Sequence, residues 1–298
     1  MKNKILKLRP SGMFSNVNEV VQQIFLADKF KYRFNIDWSK SCYRDKARKE
    51  DPWLYYFEPI WPDGYSEPIW LDGYFGKIKK RIWRRVTRTE KLLGGVQVVR
   101  NKDNIITPRE YDGALKVLLP RNRLVPYAII QKHIRLNQKT SQTIQSFSEQ
   151  FLEHPYIGLH IRGPGAFDGR SDALQAGQGS FAKLPLQHYF NALDAALIKT
   201  PNAKILTCSD SSYVIEKVKS RYGDQVVTYN ATRSDFGEMH ASHETNNGQI
   251  YDNFKLGLDV VVEAHLLAKS ALLIHGTSNL TNFVLSKSPD LPHIYIEG

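Results

Sequence analysis

The chain has 298 residues, 42% apolar and 24% charged, a composition that supplies real hydrophobic cores and, at this length, predicts two domains. Its net charge of +11 comes from 41 Lys and Arg against 30 Asp and Glu, which admits an anionic substrate, an anionic membrane surface or nucleic acid as partner; no nucleic-acid motif occurs in its required context, so nucleic acid is set aside. Two cysteines, Cys42 and Cys208, have no metal-ligand spacing and argue against a disulfide framework or a zinc site, and for a reducing compartment.

The first eight residues carry charges but no apolar core of signal-peptide length, and no run approaches about 18 apolar residues. A cytoplasmic enzyme is expected. Residues 4–8 predict a first strand. A loop rich in turn residues, 9–16, precedes a helix over 17–30 with Val20, Val21, Ile24 and Phe25 at helical spacing. Asn16 is placed as its N-cap, with Glu19 three residues on. Residues 33–38 predict a second strand, so the chain opens with a βαβ unit whose first loop faces a helix N-terminus.

Residues 51–75 are irregular and contain a tandem echo, 58–65 followed by 67–74, each with Pro-Ile-Trp and Asp-Gly-Tyr. Two copies are too few for a solenoid. The aromatics Trp61, Tyr65, Trp70 and Tyr74 suit stacking on a sugar ring, which makes the segment an acceptor-groove candidate; a duplicated loop without a role is the alternative. The basic run 77–88 has Ile78, Ile82, Trp83 and Val86 at helical spacing. It fits either peripheral membrane association, as a basic amphipathic helix on lipid head groups, or a solvated helix packed on the protein. A strand is expected at 95–99, a helical or turn segment at 108–117, and a helical stretch at 126–151.

The second half is more regular. Tyr156, Ile157, Leu159 and Ile161 make an interior strand ended by Gly163-Pro164-Gly165. His160 and Arg162 share one face of it. Arg162 therefore stands at a carboxyl strand end, where open α/β sheets bind ligands, and its guanidinium suits a diphosphate as well as a surface carboxylate. A polar loop (163–183), a helix (185–199), a strand (203–208), a helix (212–222), a strand (226–229), a long helix (253–268), a strand (271–275), a helix (280–285) and a strand (293–296) follow. This alternation requires a parallel sheet. The predicted class is α/β, GT-B-like: two Rossmann-type domains facing across a cleft, with residues 1–150 as an acceptor-side domain and 151–298 binding a nucleotide-sugar.

Strand ends deliver three polar sets to one rim: His160 with Arg162, then Ser209, Asp210 and Ser211, then Thr277, Ser278 and Asn279. The last precedes a helix, where backbone N–H groups and the dipole favour an anion. Glu263, among Val260, Val261 and Val262, predicts a buried carboxylate that must be paired, with Arg162 or with donor hydroxyls. Walker, dinucleotide and nucleophile-elbow motifs are absent, as is an Asp-x-Asp metal motif. A metal-free enzyme that neutralises a leaving diphosphate with Arg162 and helix N-termini is the coherent expectation, with no cofactor.

In this order the motifs resemble the α-1,6-fucosyltransferase family, in particular its rhizobial nodulation branch, within a superfamily that includes core fucosyltransferases and protein O-fucosyltransferases. The resemblance rests on Gly12-Met13-Phe14-Ser15-Asn16, Phe34-Asn35-Ile36-Asp37-Trp38, Ile157-Gly158-Leu159-His160-Ile161-Arg162, Thr207-Cys208-Ser209-Asp210-Ser211 and Gly276-Thr277-Ser278-Asn279. It implies inverting transfer of fucose from GDP-fucose to a glycan or glycolipid hydroxyl in bacterial surface polysaccharide or lipooligosaccharide synthesis. His160 and Arg162 would hold the diphosphate, and Asn16, Asp210, Ser211, His240, Glu263, Thr277, Ser278 and Asn279 would complete the donor site. Two departures stand out: Gly163 where many relatives carry a second basic residue, and Glu263 where the family often has Asp. No residue matches the family's acidic base; by local chemistry Asp168 and Asp172 are the catalytic candidates beside Arg162. The alternatives are another donor, such as GDP-mannose or a GDP-heptose, and a glycan-binding protein without catalysis.

Overall fold

The structure, a computed structural model, describes residues 3–30, 33–61, 118–152, 155–162, 185–234 and 251–297. The second copy of the tandem echo, the basic run 77–88, the segments at 95–99 and 108–117, the loop at 163–183 and His240 lie outside them.

Strand β1 (Asn3–Lys7), helix α1 (Met13–Phe30) and strand β2 (Arg33–Asp37) form the first βαβ unit, with the strands parallel and in register from Asn3 against Arg33 to Lys7 against Asp37. Phe34 and Ile36 point inward from β2, as its alternating burial requires. Helix α1 begins four residues earlier than expected, so Asn16 does not cap it. The Asn16 side chain turns back to bind Arg9 and Ser11 instead. The helical stretch expected at 126–151 consists of two helices, α2 (Leu124–His133) and α3 (Gln138–Phe151). Between them Leu136 makes an antiparallel bridge to Phe57, and the Asn137 side chain caps α3 at Thr140 N. That bridge takes the backbone extended, which a continuous helix could not provide.

The remaining elements are β3 (Tyr156–His160), α4 (Leu186–Lys199), β4 (Lys204–Cys208), α5 (Ser212–Tyr222), β5 (Val226–Val227), α6 (Asn253–Leu267), β6 (Leu272–His275), α7 (Asn279–Lys287) and β7 (His293–Tyr295). Pro185 precedes α4 in the cap position rather than as its first residue. The five strands form one parallel sheet in the order β5-β4-β3-β6-β7. Every residue of the central β3 is buried, as an interior strand covered on both faces must be.

On one face Ile157, Leu159 and Ile161 pack with Leu193, Val214 and Ile274 under α4 and α5. On the other, Tyr156, Leu206 and Leu273 join a larger core that runs from Leu6 to Leu291 through α1, α2, α6 and α7. Two glycines permit this packing. A Cβ on Gly158 would meet Ser270 Oγ at 2.9 Å and Leu267 at 3.0 Å, so β3 approaches the end of α6 only without one. A Cβ on Gly257 would collide with the hydroxyl end of the Tyr56 side chain, whose Oη donates to Phe254 O at 3.0 Å.

Candidate active site

The strand order reverses between β3 and β6. The chain leaves β3 toward β4 and β5, then returns through α6 to the other side of β3. Loops therefore diverge at the carboxyl ends of β3 and β6 and leave a crevice, the place where such sheets bind ligands. A cleft of about 230 Å³ lies there. His160 ends β3 in register with His275 on β6, and His160 and Arg162, two residues apart, both line the cleft. Ser209 and Asp210 reach it from the end of β4, and Ser278 and Asn279 from the start of α7.

The opposite wall is the turn Ser11-Gly12 and the first residues of α1, with Tyr43. Two helix N-termini thus meet over one cavity, and they are tied together. Asn18 Nδ2 on α1 donates to the Asn279 carbonyl on α7 at 3.0 Å, and the Phe14 and Phe283 rings lie 4.5 Å apart. The Ser278 hydroxyl caps α7 by accepting from Thr281 N at 3.0 Å. On the other side, Tyr43 Oη accepts from Met13 N at 2.8 Å. Asn16, fully buried, clamps the turn through the carbonyls of Arg9 and Ser11. It holds the wall from behind and does not line the cleft.

The floor comes from α6. Leu256, Val260 and Glu263, spaced four and three, present one helix face to the cavity, with Asp259 beside them. Glu263 Oε1 accepts from both terminal nitrogens of Arg233, at 3.2 and 3.3 Å. Arg233 also donates to the carbonyls of Ser209 and Tyr229. The expectation for Glu263 was a pairing with Arg162 or with donor hydroxyls; Arg233 supplies the cation because its loop (229–234) runs beside α6. Asp259 anchors the same loop by accepting from Thr232 N at 2.7 Å and from Lys255 Nζ at 2.7 Å.

Electrostatics follow from burial. Desolvation raises the Glu263 carboxyl to about 7 despite Arg233, which pulls it down. Desolvation, with help from His275 and Arg162, lowers His160 to about 3. The His160 ring is therefore neutral, and its Nδ1 is buried with no hydrogen-bond partner among the described residues. Arg162 and two helix N-termini favour an anion; a carboxylate, a neutral imidazole and backbone groups stand around it to accept and donate. Among the described residues, no group of three or more His, Cys, Asp or Glu is placed to hold a metal.

Of the expected donor residues, His160, Arg162, Asp210, Glu263, Ser278 and Asn279 share this cleft. Ser211 caps α5 by accepting from Val214 N, and Thr277 bonds the Tyr295 hydroxyl at 2.7 Å; neither lines the cavity. Trp61 lies apart from it, donating to Phe34 O at 3.0 Å and packed edge-on to His133. Tyr65, Trp70, Tyr74, Asp168, Asp172 and His240 lie outside the described residues. Arg233, Asp259 and Tyr43 were not anticipated as site residues. For Arg233 a signal existed, since a buried Glu263 needs a cation, but the sequence held many.

By sequence, neither a known protein family nor a curated protein matches the chain. Solved structures do. NodZ α-1,6-fucosyltransferase co-crystallised with GDP is 18% identical with a TM-score of 0.54, covering 99% of this chain and 94% of the other; NodZ from Bradyrhizobium gives 17% and 0.51, over 95% and 91%. POFUT1 in complex with GDP gives 11% and 0.53, over 98% and 97%. An FUT1 mutant from Arabidopsis thaliana, also in complex with GDP, gives 13% and 0.53, over 99% of this chain and 70% of the other. The chain has the α/β, GT-B-like fold of these fucosyltransferases.

Proposed function

We propose that the chain is an inverting, metal-independent glycosyltransferase that moves fucose from GDP-fucose to a hydroxyl of a glycan or glycolipid. The observation that carries this is the convergence of Arg162, the neutral His160 and the N-termini of α1 and α7 on one cleft at the sheet's switch point. Fold neighbours in complex with GDP or soaked with GDP-fucose support the choice of donor.

In this reading the diphosphate lies between the two helix starts with Arg162 on its oxygens. As the acceptor hydroxyl attacks the anomeric carbon, the sugar–phosphate bond breaks and negative charge grows on the leaving GDP. Arg162 and the α7 N–H groups meet that charge without reorganising. Glu263, with Asp210 and Asp259 nearby, offers acceptor oxygens to the nucleoside end, and Arg233 holds Glu263 in place. The acceptor belongs to bacterial surface-glycan synthesis in the cytoplasm, and Asp168 or Asp172 takes its proton. No helix among the described residues is long and apolar enough to cross a membrane; contact with a lipid-linked acceptor would fall to residues 77–88.

Thermal shift against GDP, UDP, ADP and CMP-sugars tests the donor. Stabilisation by GDP and GDP-fucose is expected, and stabilisation by UDP without GDP would sink the assignment. Mass spectrometry of donor consumption with a panel of GDP-sugars then separates fucose from mannose or heptose. Donor binding without turnover would favour the non-catalytic alternative.

A further inference from the structure

Arg123, just before α2, is 1% exposed and far in sequence from every cleft residue. Its Nη1 donates to Pro289 O at 2.8 Å, and its Nη2 donates to Leu118 O at 2.9 Å and lies 2.8 Å from His293 Nε2. His293 Nδ1 lies 3.1 Å from His275 Nε2, and His275 Nδ1 lies 2.9 Å from Gly276 O. Four groups from the α2 entry, β7, β6 and the β6–α7 turn thus form one chain, buried at Arg123 and His275 and half-buried at His293.

The direction of every bond in it is determined twice. Arginine has only donors, so His293 Nε2 must accept, and a neutral His293 then carries its proton on Nδ1 and donates to His275. From the other end, a carbonyl only accepts, so His275 Nδ1 must donate to Gly276, which leaves Nε2 of a neutral His275 as the acceptor. The two derivations agree. Both rings are the Nδ1–H tautomer, the minor one for a free neutral histidine side chain in water, and a proton added to either ring would set N–H against N–H.

We propose that Arg123, through His293 and His275, is a positioning residue for the phosphate-facing turn at Gly276-Thr277-Ser278. The Gly276 carbonyl orients the peptide that leads into Ser278 and Asn279, both of which line the cleft. Tyr295 holds Thr277 and Asn18 holds the Asn279 carbonyl, at 2.7 and 3.0 Å. The turn is therefore braced from β7 and α1 as well as through the relay. His275 is also the register partner of His160, so the relay backs the strand-end histidine of the cleft. The role rests on the nucleotide reading given above.

The test has two parts. Ring 15N shifts and proton couplings of the 15N-histidine-labelled wild type, without nucleotide at neutral pH, are expected to show Nδ1–H at His275 and His293. An Nε2–H or doubly protonated form at either position overturns the relay. GDP affinity of Arg123→Met, measured well below its melting temperature, is expected to fall about tenfold, roughly one lost hydrogen bond. A folded Arg123→Met variant with unchanged affinity overturns the positioning role, because a purely structural Arg would move only the melting temperature. If that variant does not fold, His293→Gln and His293→Leu replace it. The Gln amide can accept from Arg123 and donate to His275, so it is expected to keep affinity within about twofold while Leu loses about tenfold; equal affinities overturn the proposal. A wild type that binds no guanine nucleotide refutes the donor reading separately, because the tautomers are measured on the free protein.

Discussion

On the sheet side of the cleft, His160, Arg162, Asp210 and Ser278 stand within three residues of a strand end, so strand register places them. On the facing side, Ser11, Gly12 and Tyr43 lie farther from a strand, four to six residues beyond the ends of β1 and β2. They are held by side chains that bind backbone: Asn16 on Arg9 and Ser11, Tyr43 on Met13, and Asn18 on Asn279. A wall set by a parallel sheet resists local change, because moving one residue means shifting a buried strand. A wall set by side-chain hydrogen bonds depends on each bond separately. Substitutions on the sheet wall should therefore act on chemistry with the fold intact, and those on the facing wall on chemistry and stability together.

The largest expected effect is Arg162→Ala. Removing one well-placed donor to a developing oxyanion typically costs about 100- to 1000-fold in turnover, or roughly 3–4 kcal/mol. GDP-fucose consumption should fall by that amount with the melting temperature nearly unchanged. Near-normal turnover would remove the clamp from the mechanism. Next comes Arg233→Met, which leaves Glu263, its side chain 8% exposed, without its cation. A buried pair broken on one side costs about 3–5 kcal/mol, whereas replacing both partners with apolar groups is often close to neutral. Chemical denaturation should show the single variant strongly destabilised and Arg233→Met with Glu263→Leu largely recovered. A mild single variant would mean that the loop at 229–234 is held by its other bonds, from Asp259 and Lys255 and between Ser234 N and the Asp210 carbonyl.

Asn16→Ala probes the facing wall. It deletes the bonds to Arg9 and Ser11 from a fully buried site, a loss on the order of 2 kcal/mol. Stability and GDP affinity should fall together. A variant that lost stability but kept affinity would show that Asn16 supports the fold without setting the facing wall.

The same contrast explains what was legible in the sequence. The β-α alternation of the second half, and with it the rim of His160, Arg162, Asp210 and Ser278, follows from apolar strand runs and the turn residues that end them. Arg233 was not legible, because its role depends on a loop meeting α6 thirty positions later, and no local pattern encodes that meeting. Asn16 misled for a related reason. Its residue type fits an N-cap, but an Asn side chain can equally serve a preceding turn, and α1 starts at Met13. The break between α2 and α3 at residues 134–137 likewise depends on a distant partner, Phe57.

The smallest effect is in the pH dependence of stability, and it separates Glu263 from the histidines around it. Glu263 is raised from 4.5 to about 7 in the fold. Between those values the folded chain keeps the proton that the unfolded chain has lost, so this group makes stability fall as pH rises. His160, lowered from 6.5 to about 3, has the opposite sign. The unfolded chain binds the extra proton between those values, and stability rises with pH. The two contributions oppose each other between about pH 4.5 and 6.5, so the wild-type profile alone does not separate them. Glu263→Gln removes only the falling one. The difference in unfolding free energy between wild type and variant should therefore change across that window, with the variant gaining on the wild type as pH rises. One proton sets a ceiling of about 1.4 kcal/mol per pH unit on this slope. A flat difference would mean that Arg233 keeps the carboxylate ionised in the fold at all these pH values, and the cleft would then present a fixed negative charge rather than a titrating one.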